Sequence, residues 1–78
     1  MNTEEIKQKL QDLVGLSAVV SKDLDFDLSK DGVSFSIRGN LQYFKLANYY
    51  RLNVSTVSFI SFNLEDVSFV QDSRIELK

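Results

Sequence analysis

Hydrophobic side chains recur along this chain first at helical spacing and then at every second residue. Ile6, Leu10, Leu13 and Val14 form one apolar stripe, which predicts a helix over residues 3–14. Asn2 or Thr3 is placed to cap it, and Glu5 follows Asn2 at capping-box spacing. Glu4 and Glu5 stand where the helix dipole favours negative charge, and Gly15 suits the residue after the last turn.

From residue 18 the period becomes two. Ala18, Val20, Leu24, Phe26 and Leu28 alternate with polar positions, interrupted at Lys22, and Val33, Phe35 and Ile37 alternate again after Ser29-Lys30-Asp31-Gly32. This pattern predicts a hairpin. Pairing Leu28 with Val33, Phe26 with Phe35 and Leu24 with Ile37 keeps one face apolar. The other face then sets Asp27 opposite Ser34, Asp25 opposite Ser36 and Asp23 opposite Arg38.

Residues 39–53 fit two patterns. In the preferred one Gly39-Asn40 is a two-residue hairpin loop. Phe35 then faces Phe44, Val33 faces Leu46, and a turn follows near Ala47-Asn48. In the other, Asn40 caps a helix bearing Leu41, Phe44, Leu46, Ala47 and Tyr50. Beyond Arg51 strand residues dominate, with a change of phase between Phe59 and Ile60 that predicts a bulge or bend. Residues 63–66 spell a turn. Val67 and Phe69 begin a strand, residues 71–73 turn it, and Ile75 and Leu77 form a short last one.

The expected fold is α+β: one domain over residues 1–78, with an N-terminal helix packed on an antiparallel β-meander of four or five strands. The helix stripe would cover Leu24, Phe26, Val33, Phe35 and Ile37. One helix covers only part of a sheet face, so the remaining Phe, Tyr and Val surface predicts self-association through a sheet edge or face.

Composition narrows the chemistry. The chain of 78 residues has no Cys and no His, which excludes thiolate zinc sites and the usual Ser or Cys hydrolase triads. Its carboxylates fall in predicted turns or on wet faces, so no enzyme, no cofactor and no metal site is expected. The net charge is −2 and the isoelectric point about 4.9, without the basic footprint of a nucleic-acid binder. The start, Met1-Asn2-Thr3-Glu4-Glu5, is acidic, unlike a signal peptide. No apolar run approaches the ~20 residues of a membrane span. The cytoplasm is the expected compartment.

Three stretches could carry function. Asp23, Asp25 and Asp27 occupy positions 1, 3 and 5 of a candidate calcium loop, which also requires Gly at position 6 and Glu at 12. Those positions hold Leu28 and Ser34, so the aspartates follow a strand's period. At ~6.6–7 Å between alternate residues, they could instead imitate a run of phosphates and occupy a basic groove. The stretch 46–60 resembles the helix-turn-helix signature of bacterial transcription regulators at Ala47, Leu52, Thr56, Val57, Ser58 and Ile60. That resemblance implies two helices and DNA binding. Arg51 stands where its turn Gly is usual, and residues 55–62 hold no Lys or Arg. Finally, Tyr43, Phe44, Tyr49 and Tyr50 lie beside Lys45 and Arg51, a composition found at protein interfaces.

The expected function is a small non-enzymatic protein-protein interaction module. Its size and composition suit a phage or mobile-element accessory protein, either an inhibitor or an assembly component. The candidate partner-binding residues are Asp23, Asp25, Asp27, Tyr43, Tyr49, Tyr50 and Arg51.

Overall fold

A computed structural model describes residues 1–24 and 33–78. The chain opens with α1 (Thr3–Leu13), continues through β1 (Ser17–Leu24), β2 (Val33–Phe44), β3 (Tyr49–Asn53) and β4 (Phe59–Phe62), and passes a 3-10 turn, Leu64–Asp66. It ends with β5 (Val67–Gln71) and β6 (Arg74–Leu77). The six strands form one sheet in the order β4-β3-β2-β1-β6-β5. The fold is therefore α+β with an N-terminal helix, as expected.

The helix forms for the reasons its sequence gives. Asn2 Oδ1 accepts a hydrogen bond from the Glu5 N–H at 2.8 Å, which satisfies one of the first-turn donors. Ile6, Leu10 and Leu13 are buried and Val14 packs beside them. Gly15 has φ +87°, a left-handed conformation that glycine adopts without strain.

The link from Gly15 fixes the register of the first hairpin. Gly15 N–H donates to the Leu41 carbonyl at 2.8 Å, and Leu41 N–H to the Leu16 carbonyl at 3.1 Å. Each later rung follows: Ala18 opposite Gly39, Val20 opposite Ile37, Lys22 opposite Phe35, Asp23 opposite Ser34 and Leu24 opposite Val33. This corrects the predicted pairing of Leu24 with Ile37 and of Asp23 with Arg38 by four residues. Arg38 pairs with Val19 instead. An even shift leaves the described residues of both strands on their predicted faces, so for them the alternation was right and the rung was not. The predicted rungs at Leu28 and Phe26, and the turn at Ser29-Lys30-Asp31-Gly32, lie outside the described residues.

Gly39-Asn40 is not a hairpin loop. β2 runs straight through it, and the turn comes at residues 45–48, where Asn48 has φ 55°. Gly39 serves close approach: a Cβ there would meet Asn53 O at 2.4 Å and Asn53 C at 2.8 Å. Of the bulge or bend expected near Phe59, the structure shows the bend, at residues 54–57 just before β4. Val54 N–H donates to Ser58 O at 2.9 Å, and Ser55 Oγ accepts from Ser58 N–H at 3.1 Å.

The antiparallel meander is also corrected. Among the described residues there are six strands, and β6 joins β1 in parallel, with Val20 opposite Ile75. β4 and β5 stand at opposite edges yet are joined by Asn63–Asp66 alone. A flat sheet of six strands is about 24 Å across, more than so short a link spans, so the sheet curls strongly. Lys22, Phe62 and Leu77, from β1, β4 and β6, accordingly border one cleft. The hairpin of β5 and β6 closes on β1 from the far side, with Lys78 N–H donating to Asp66 O at 2.8 Å.

α1 fills the concave side. Leu10, Ala18, Val20, Leu41, Leu52 and Ile75 are all at 0% exposure, and with Tyr50, Phe62, Val67 and Val70 they form one core. The helix thus shares one core with Ala18, Leu41 and the last hairpin; the expected cover of Leu24, Phe26 and Val33 falls on side chains outside the described ones. Ile37 packs at the margin of this core.

Candidate functional site

Among the described residues no helix lies over the convex face of the sheet, and strand alternation decides which side chains stand there. β2 turns Ile37, Leu41 and Tyr43 toward the core, so Arg38, Asn40, Gln42 and Phe44 face outward. Tyr50 pairs with Tyr43 and Leu52 with Leu41, so β3 turns Tyr49, Arg51 and Asn53 outward. Phe62 and Ile60 point inward on β4, leaving Phe59 and Ser61 on the open face.

Four of these residues converge. The Arg51 guanidinium lies 4.6 Å from the Phe44 ring centroid and 4.3 Å from that of Phe59. Phe44 and Tyr49 stack with centroids 5.0 Å apart and an interplanar angle of 11°. Arg51 Nη2 donates to the Tyr49 hydroxyl at 3.3 Å. Arg51 Nε is buried and has no acceptor among the described residues. Cation–π attraction of ~0.5–2 kcal/mol per ring offsets some of the ~1–3 kcal/mol that an unpaired buried donor costs. Phe59 is 53% exposed, and Val54 and Val57 in the adjoining turn are also exposed. The result is an apolar and aromatic surface with one organised cation at its centre.

A second polar group lies on the same face. Ser21 Oγ donates to Glu76 Oε2 at 2.5 Å, and Arg74 donates from Nε to Ser21 Oγ at 3.1 Å and from Nη2 to Glu76 Oε2 at 3.3 Å. Glu76 is only 8% exposed. Its carboxylate is therefore a satisfied structural group, held between two strands that run parallel.

The residues singled out from the sequence separate between the two faces. Tyr49 and Arg51 belong to the open-face cluster. Tyr43 and Tyr50 do not: Tyr50 is 3% exposed and stacks on Phe62 at 5.7 Å, with Gln11 Nε2 donating to its hydroxyl at 3.3 Å. Burial pushes the Tyr50 hydroxyl above its usual pKa, the Gln11 hydrogen bond opposes this, and nearby Tyr43 adds to the rise. Tyr43 donates to Asn48 Oδ1 at 2.9 Å and steadies the turn. Asp23 lies on β1 opposite Ser34. Asp25 and Asp27 lie outside the described residues, and so does the acidic row they would complete.

Phe44 and Phe59 complete the cluster although the sequence did not mark Phe59 for it. The signal was available in the alternation of β4, once its phase is counted back from Phe62. The two helices implied by the helix-turn-helix resemblance are not present. Residues 46–60 form a turn, β3, a second turn and the start of β4, as their Val, Thr, Phe and Ser content favours.

Among the described residues, no helix is long and apolar enough to cross a membrane. Comparison of the chain with protein-family models, with curated proteins and with solved structures gave no match.

Proposed function

We propose that this chain is a small non-enzymatic interaction module that docks a protein partner on its helix-free sheet face, centred on Arg51. The observation that carries this is the Phe44–Arg51–Phe59 sandwich with Tyr49 beside it. Aromatic residues and arginine dominate the energetic centres of protein interfaces. Here they are already assembled on a rigid sheet, so docking orders few side chains. Val54 and Val57 extend the patch along the β3–β4 turn.

The absence of His and Cys from the sequence supports a binding role over catalysis. A cytoplasmic accessory protein of a phage or mobile element, acting as an inhibitor or an assembly component, is the setting that suits its size and composition. Self-association belongs to the same proposal, because β4 is a short edge strand beside the patch and edge strands pair readily.

The test is affinity capture from the native host with wild-type and Phe59→Ala baits, together with the solution mass of each. Truncating an interface centre costs about 2 kcal/mol or more, so Phe59→Ala should lose the partner, or the dimer, while retaining its melting temperature. Equal capture and equal mass for the two proteins would overturn the proposal.

A further inference from the structure

We infer that β4 pairs with the β4 of a second copy of this chain, antiparallel and about a two-fold axis at Ile60. The inference rests on the self-association proposed above and names the atoms that carry it.

The two edges of the sheet are not alike. β5 has a register break between Val67 and Phe69, and a bulge turns an edge away from further pairing. β4, Phe59-Ile60-Ser61-Phe62, has no charged residue, no proline and an unbroken register against β3. Among the described residues β4 pairs with β3 alone.

Alternation decides which backbone groups this edge offers. Val54 N–H donates to Ser58 O at 2.9 Å. That bond brackets Asn53–Phe59 as a pair whose own N–H and C=O groups turn away from each other. Arg51–Ser61 is the next pair of this kind, and Leu52–Ile60 and Tyr50–Phe62 exchange hydrogen bonds. Phe59 and Ser61 therefore aim their N–H and C=O groups out from the edge. Asn63 is the next outward residue, but its N–H donates to Asp66 Oδ2 at 2.8 Å and its carbonyl accepts from Asp66 N–H at 3.0 Å.

Two outward residues with one between them are self-complementary. With Phe59 opposite Ser61 of the copy, and Ser61 opposite its Phe59, every outward N–H and C=O gains a partner. An axis at Phe59 sets Ser61 against the turn at residues 54–57, and an axis at Ser61 sets Phe59 against Asn63, whose groups are taken. In the favoured register Ile60 meets its own copy at about 4.5 Å between Cα atoms. The two Phe59 side chains become diagonal neighbours about 7–8 Å apart, within reach of aromatic rings. The Phe44–Arg51–Phe59 groups of both copies then join into one surface. A foreign strand can use the same edge in any register. A second copy fills it in one register and brings its own exposed Phe59 to meet this one. The edge is four residues long, so the interface falls below about 1,200 Å² and the dimer forms reversibly with concentration.

The experiment measures the solution mass of the whole chain from micromolar to millimolar concentration, with amide exchange at both limits, for wild type and Ser61→Pro. Proline at 61 removes an outward N–H and no bond to β3, a place where edge strands accept it. The wild-type mass should double across the range, and exchange at Phe59 and Ser61 should slow at least threefold. Ser61→Pro should melt as wild type does and stay at the mass of one chain. The chain has no Cys, so Ile60→Cys supplies a lone thiol within disulfide reach of its copy. Under mild oxidant it should link at least tenfold faster than Val57→Cys, and it decides the register if Ser61→Pro does not fold. A wild-type mass of one chain throughout would overturn the inference. So would a dimer with unchanged exchange at Phe59 and Ser61, or equal linking by the two cysteine variants. Loss of captured partner in Phe59→Ala would then leave the docking face standing, and equal capture would remove both readings. A foreign protein captured by wild type and lost from Ser61→Pro, with the mass at one chain, would assign the edge to that protein instead.

Discussion

Gly39→Ala is the substitution that most directly tests the architecture beneath the site. Glycine at 39 has no ordinary turn role here, since it lies within β2 opposite Ala18. The added methyl would sit 2.4 Å from Asn53 O and 2.8 Å from Asn53 C, with Leu52 Cγ at 3.1 Å. Two of those atoms are backbone and cannot rotate away, so the end of β3 must part from β2. Overpacking of this kind costs about 1–3 kcal/mol, and losing one ladder hydrogen bond adds about 0.5–1.5 kcal/mol. Reduced freedom of the unfolded chain returns about 0.4–1 kcal/mol. The net loss is about 1–3 kcal/mol. That is a substantial share of the ~4–12 kcal/mol expected for a domain of 78 residues.

Calorimetry should then show a melting temperature lower by about 10 °C, and amide exchange at Leu52 and Asn53 should accelerate before that of Val20 or Ile75. An unchanged melting temperature and exchange pattern would refute the close approach. A one-residue insertion between Gly39 and Asn40 separates strand from loop. In a loop it is tolerated, but within β2 it turns Leu41 outward and Gln42 inward, and the protein should fail to fold. Leu41 is at 0% exposure, so the difference is large.

Three further outcomes follow from single residues. Asn2→Ala removes the acceptor for Glu5 N–H and should lower stability by about 0.5–2 kcal/mol in denaturant titration, with fraying of the first turn visible by exchange. Ser21→Ala takes one partner from the nearly buried Glu76 carboxylate and should cost about 1–3 kcal/mol, whereas Glu76→Gln with Ser21 retained should cost less. Tyr50, with its hydroxyl pKa raised by burial, favours the neutral phenol in the folded state. Its contribution to stability is complete below the unfolded value of about 10 and is lost as pH rises through the folded value. Alkaline melting curves should show that loss in the wild type and not in Tyr50→Phe.

The helix and the alternation were legible in the sequence because both are local. Asn2, Glu5, Leu10 and Gly15 each report on neighbours within one turn. Residues 33–37 show their inward and outward sides by composition alone. What the sequence withheld was non-local. A four-residue slip preserves the alternation, so Leu24 opposite Ile37 and Leu24 opposite Val33 look equally good until Gly15 and Leu41 meet. Gly39 was ambiguous because glycine serves turns and close approaches alike, and only the position of Asn53 distinguishes them. Nor does the link at 63–66 announce that it joins opposite edges of the sheet. The partner-binding set suffered from the same cause. Tyr43, Tyr49, Tyr50 and Arg51 read as one group along the chain, and a two-residue period divides them.

That division has a functional consequence at Tyr49-Tyr50-Arg51. Tyr50 turns inward onto Phe62 and Gln11, whereas Tyr49 and Arg51 turn outward onto Phe44. Each inward ring is surrounded by the core that α1 completes, so its loss is a loss of stability. Each outward group rests on the sheet's convex surface, on the side opposite the core that α1 joins. Arg51 is the exception that ties the two together. Its Nε–H, without an acceptor among the described residues, is a cost that a Gln or Ser at this outward site would not incur, and the rings only partly offset it. On the docking proposal, that cost is the one a fixed cation bears until an incoming group meets it. Stability and binding should therefore separate across a single peptide bond. Tyr50→Ala should unfold the domain, and Arg51→Ala should leave it folded but, on the docking proposal, without its partner.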